Sequence, residues 1–307
     1  RMAYYQIGKF YGLMESLALW AALGVLWFLY RYVNEKRVGA FLMANVLYFA
    51  VCFIHERYMA LLPLLLMAVV LGFGKGLASE TVTVETGRNS EPNRAAKPGR
   101  SRGRGQSRGA QNKKETAVRT AATEKKADSR FPKSLLFVIT LFVFGAIQMI
   151  RLYTIGTLSP AGTGGTDVAD TFKFTDAIGQ ALNQVGLVFG RNSGPLHLCI
   201  EPFADSPDRI KNLILAAEAI LGVGVLAAVI GMIRARDEIV CHLKNAVLFL
   251  VFITLCIGSS SVTIRVEMRW VYVAYAAALL FFAYLSRVMG KAGILVLLYG
   301  CLIFPVE

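Results

Sequence analysis

His55-Glu56-Arg57-Tyr58 sets an imidazole, a carboxylate, a guanidinium and a phenol side by side, between two apolar runs that leave no room for a loop. A guanidinium carries five donors in a fixed fork and matches a phosphate or a carboxylate through two of them at once. Glu56 can orient that fork or take a proton. His55 can pass a proton near neutral pH, or bind a metal through its neutral ring. Tyr58 suits the aromatic belt of a membrane interface and can also stack on a sugar. The plainer alternative is a local salt bridge with an aromatic anchor.

A second cluster, Arg265-Val-Glu267-Met-Arg269-Trp270, repeats an acid, a base and an aromatic in that order, again at the mouth of an apolar run. The two clusters form one site if the runs on either side of each pack together. Such a site is cationic at its core and framed by acids and aromatics, which suits the phosphate or diphosphate headgroup of a lipid. The expected substrate-binding residues are therefore His55, Glu56, Arg57, Tyr58, Glu267 and Arg269. No catalytic residue and no metal ligand is assigned. The residues specify no cofactor, and a divalent cation is the one left open.

The elements that must position these groups are long apolar segments. The 307 residues are 55% hydrophobic and 17% charged, with mean hydropathy +0.52. Soluble domains carry about 25% charged residues, and a bilayer takes roughly 17–25 apolar residues per helix. The expected class is all-α, a polytopic transmembrane bundle. Eight spans are predicted, at about 11–30, 38–54, 59–74, 134–152, 212–233, 245–264, 270–286 and 292–306. Barrel strands would alternate apolar and polar over about ten residues, and these runs do not.

Lys and Arg in the loops set the expected orientation. Arg31, Lys36 and Arg37 follow the first span, Arg234 and Arg236 the fifth, and Arg287 and Lys291 the seventh. Strict alternation puts all three turns on one side, together with residues 75–133, which hold 15 Lys and Arg against 6 acids. That side is expected to be cytoplasmic, at the plasma membrane. Both charged clusters and the long loop 153–211 then fall outside. The domain organisation is 1–74 (three spans), 75–133 (a basic cytoplasmic loop) and 134–307 (five spans).

Loop 75–133 is poor in apolar residues and rich in Gly, Ser, Arg and Lys, so it is expected to be disordered. Between Phe73 and Phe131 it has no aromatic residue to stack on bases. Its expected partner is anionic inner-leaflet lipid, and nucleic acid is not expected. Loop 153–211 differs: Ile178, Leu182 and Val185 fall at helical spacing, which predicts a short amphipathic helix resting on the external membrane surface.

Glu15 and Glu218 lie one to two turns from the external ends of their helices, within reach of snorkelling, and are functional candidates as intramembrane acids. Asp167, Asp170, Asp176, Glu201, Asp205 and Asp208 include possible general bases, with no spacing that singles one out. His197 and His242 have no metal-ligand spacing. The five cysteines show no CxxC. No Walker A, GxSxG or HExxH motif is present, so these residues give no support to an ATP-driven pump, a serine hydrolase or a zincin.

The stretch Phe53-Ile-His55-Glu56-Arg57-Tyr58-Met-Ala-Leu-Leu-Pro63 resembles a signature of GT-C-type polytopic membrane glycosyltransferases that use polyprenyl-phosphate sugars. Glu267-Met-Arg269-Trp-Val-Tyr272 is similar to the Arg-aromatic start of a late span in related families. The resemblance implies an enzyme of the cell envelope that moves a sugar from a lipid-phosphate donor to an external glycan or protein acceptor, with an Arg on the donor phosphate. In that family the catalytic carboxylate lies in the first external loop. Arg1 to Lys9 contain no acid, and the chain is expected to be a piece of a longer protein. The 59-residue cytoplasmic insertion is also not expected from the family. Two alternatives use the same arginines: a carrier or flippase for lipid-linked glycans, and a polysaccharide polymerase or ligase. A carrier needs polar groups at the bilayer midplane, whereas these spans are clean at their centres.

Overall fold

The computed structural model describes residues 10–73, 132–156, 173–189, 191, 207–234, 238–262 and 268–303. The basic segment 75–131 lies outside them. Every described element is helical, and no strand occurs among the described residues.

The chain runs α1 (Phe10–Glu35), α2 (Val38–Ile54), a 3-10 turn (Glu56–Leu61), α3 (Leu62–Phe73), α4 (Lys133–Ile155), α5 (Phe174–Val188), α6 (Asp208–Arg234), α7 (Ile239–Ser261), α8 (Met268–Met289), a second 3-10 turn (Gly290–Gly293) and α9 (Ile294–Ile303). All eight predicted apolar runs are helical over their described residues. Among the described residues five helices are long and apolar enough to cross a membrane: α1, α4, α6, α7 and α8. The molecule is accordingly a multi-pass helical membrane protein. The other three runs form α-helices of 17, 12 and 10 residues.

In lipid a helix satisfies its own backbone, and helices are held together by close packing rather than by escape from water. Both effects are visible. Trp20, Trp27, Phe142 and Leu226 point outward. Phe41, Tyr48, Leu64, Leu65 and Phe252 fill the interior. At Gly72 of α3, a Cβ would stand 2.5 Å from the Tyr32 ring of α1, so the glycine is what lets these two helices meet.

The ends of α1 and α2 explain the first charged cluster. Lys36 adopts a left-handed conformation (φ 59°), which turns the chain back after α1. Its ammonium donates to the carbonyl of Gly72. At the far end of α2, His55 is extended (φ −147°), and its N–H closes the last turn on the Val51 carbonyl at 2.9 Å. Pro63 then sits at the start of α3, where its missing N–H leaves no helical bond unmade.

Because α1 and α2 run in opposite directions, the start of α1 lies beside the end of α2. The bond between Glu56 and Arg151 places the end of α4 at that same end of the bundle, and α7 packs on the same 3-10 turn.

Candidate functional site

Two carboxylates and three cationic or potentially cationic groups are interlocked at this end. Glu15 of α1 accepts from both bases of the predicted cluster: Oε1 lies 2.9 Å from Nε2 of His55, and Oε2 lies 3.0 Å from Nη2 of Arg57. The Glu15 side chain is 7% exposed and that of Arg57 11%. Glu15 is therefore no snorkelling acid; it is an interior counter-ion. A carboxylate enclosed this way needs compensating charge, since breaking a buried pair by removing one partner costs about 3–5 kcal/mol.

Glu56 turns the other way. Its Oε2 accepts from Nη2 of Arg151 at 2.9 Å, near the end of α4. Arg151 is buried, and its Nη1 also touches the Met59 sulfur at 3.3 Å. Gln148, one turn earlier on the same face, reaches that sulfur at 3.7 Å. The Glu56 side chain remains 35% exposed.

Tyr58 closes the cluster from below. It is buried, its hydroxyl lies 3.3 Å from Nη2 of Arg57, and the guanidinium carbon stands 5.1 Å from its ring centroid. Burial pushes the Tyr58 phenol up to about 12, against the opposing pull of the Arg57 charge. The 3-10 turn is further tied to α2 by the Tyr48 hydroxyl, which donates to the Met59 carbonyl at 3.2 Å. The turn packs on α7 as well.

One donor of Arg57 is left over. Nη1 of Arg57 is buried and has no hydrogen-bond partner among the described residues. An unmet guanidinium donor beside a satisfied one is a standing demand for an acceptor. It is the feature of this cluster that a purely structural ion pair does not account for.

Thus His55, Glu56, Arg57 and Tyr58 are assembled as one group. The second cluster is not joined to it on this evidence of position: Glu267 lies outside the described residues, and Arg269 is placed only as a backbone position in the first turn of α8. Trp270 is buried in the bundle. Among the described residues no group of three or more His, Cys, Asp and Glu side chains converges to hold a metal. Asp176 and Asp208 are exposed at the starts of α5 and α6. Asp167, Asp170, Glu201, Asp205, His197 and Cys199 lie outside the described residues.

Sequence reasoning missed Arg151. The available signal was its spacing from Gln148, which puts two polar side chains on one face of an otherwise apolar helix. It also missed a polar knot at the opposite end. There Asn34 and Asn245 exchange amide bonds at 2.8 and 3.2 Å, and Tyr284 bonds His242 at 2.7 Å. Glu218 is paired too, with Arg191 in a two-pronged bridge of 2.6 and 2.8 Å.

In comparisons with known proteins, no family model, no curated protein and no solved structure matches this chain.

Proposed function

We propose that the chain is a multi-pass membrane glycosyltransferase, or part of one, that moves a sugar from a lipid-phosphate donor to an extracytoplasmic acceptor. The observation that carries this is Arg57: a guanidinium fixed by Glu15 at the bundle end, with one donor nitrogen unmet. Because that nitrogen is buried, a lipid phosphate oxygen would satisfy it only once the bundle end opens to admit the headgroup. GT-C-type resemblance at the same four residues supports the same chemistry.

In the reaction, the bond between the sugar C1 and the donor phosphate oxygen breaks, and its electron pair stays on the phosphate. The acceptor oxygen bonds to C1 and gives up its proton. Arg57 stabilises the charge that grows on the departing phosphate. Glu15 is a positioning residue, since both of its oxygens are occupied. Glu56 is the carboxylate with an open edge and is suited to receive the acceptor proton. Under this proposal the three shorter helices also cross, giving eight spans at the plasma membrane, with the 55–58 cluster outside and the basic turns and loop inside.

A carrier is the second reading, and it would need polar groups near the bilayer midplane. Thr140 bonds back to the Leu136 carbonyl within its own helix, whereas Asn45 bonds the Phe41 carbonyl through its nitrogen and keeps a buried Oδ1 without a partner among the described residues. A polymerase or ligase would use the same arginine on a lipid diphosphate.

The test is transfer of labelled sugar from a panel of polyprenyl-phosphate donors in membranes expressing the protein, comparing wild type with Arg57→Lys. Lysine keeps the charge beside Glu15 but loses the second nitrogen. Transfer present in the wild type and reduced at least tenfold in Arg57→Lys, about 1.4 kcal/mol of transition-state binding, supports the proposal. No transfer from any donor by the folded wild type, or equal transfer by both proteins, overturns it.

A further inference from the structure

α5 divides its circumference into three sectors. Gln184, Leu187 and Val188 are buried against the bundle. Both ends of the Gln184 amide are used: its nitrogen donates to Ser261 at 2.9 Å, and its oxygen accepts from Ser260 at 2.6 Å. Phe189, just past the helix, sets its ring 5.9 Å from that of Phe282. This sector fastens α5 to the last turn of α7.

The second sector is apolar and uncovered. Phe174, Ile178, Leu182 and Val185 are all exposed, Phe174 by 69% and Leu182 by 65%. At 100° per residue the four fall within about 80° of arc. The third sector, Thr175, Asp176, Gly179 and Asn183, is exposed and holds no large apolar side chain.

We infer that α5 is an interfacial helix that seats the Phe174, Ile178, Leu182 and Val185 stripe in the acyl region of the bilayer. Its anchorage supplies the argument for the occupant. Ser260 and Ser261 end a helix long and apolar enough to cross the membrane, so α5 sits at the depth where hydrocarbon gives way to headgroups. A helix there with one face on protein, one apolar and one polar matches the three media it meets. The polar sector that borders the stripe then faces headgroups and water. The predicted amphipathic helix of the 153–211 loop is thus present, and its apolar stripe faces away from the protein.

The experiment places a benzoylphenylalanine photo-cross-linker at position 182 or, in a separate protein, at the adjacent position 183. Each is reconstituted in phosphatidylcholine and phosphatidylglycerol vesicles and irradiated, and adducts are read by mass spectrometry. Both positions are exposed, so neither substitution disturbs the buried sector. Lipid adducts about fivefold more abundant at 182 than at 183 are expected for a seated stripe. Equal lipid labelling at both positions, or adducts at 182 to protein alone, overturns the inference; the latter identifies a second copy or another segment of the chain as the cover.

Discussion

Glu15 and Arg57 stand 42 positions apart in the chain and meet at 3.0 Å, with His55 on the second oxygen of the same carboxylate. This contact joins α1 to the turn between α2 and α3. It decides how the 55–58 cluster behaves: the guanidinium is held from one side and has one nitrogen left for something else.

Glu15→Gln should therefore destabilise the bundle by about 3 kcal/mol, because it leaves the enclosed Arg57 guanidinium without its counter-charge. Thermal unfolding in detergent checks this. Glu35→Gln removes the partner of Arg31 in an exposed pair, and should leave the midpoint unchanged. Equal midpoints for Glu15→Gln and wild type would mean that the interior pair contributes no net stability.

Gly72→Ala should cost about 1–3 kcal/mol by overpacking, since the added methyl would overlap the Tyr32 ring at 2.5 Å. Adding Tyr32→Leu should return part of that loss. The double mutant and both singles, compared by chemical denaturation, measure the coupling. Additive effects would show that the two helices do not meet here.

Gln184→Ala should loosen α5 without unfolding the bundle. It removes two hydrogen bonds that tie the helix to Ser260 and Ser261, each worth about 1 kcal/mol net. Hydrogen exchange should rise across Phe174–Val188 and stay unchanged in α1 and α2. Uniform protection would place the anchor elsewhere.

Tyr58 gives a pH dependence with a definite sign. Its pKa is raised to about 12 by burial, above the ordinary tyrosine value of about 10. Below the ordinary value its contribution to stability is fully present, and it is lost as pH climbs toward about 12, where the folded phenol ionises. Tyr58→Phe should accordingly flatten the fall in unfolding midpoint between about pH 10 and 12. An unchanged slope would show that this phenol is not shielded.

The sequence by itself determined the apolar helices, because an apolar run in a bilayer must satisfy its own backbone. It determined α5 for the same kind of reason: Ile178, Leu182 and Val185 repeat with helical period. It also singled out the four consecutive residues from His55 to Tyr58. Only the tertiary structure decided which partners they have. Hydropathy does not fix how an apolar helix is rotated, since lipid tails and leucine side chains are alike, and rotation follows from packing with neighbours. Glu15 turned inward toward Arg57, and Arg151 toward Glu56, once close contacts such as Gly72 on Tyr32 had set those rotations. That is why an acid near a helix end could be read as snorkelling from the chain alone, and is an interior counter-ion in the folded bundle.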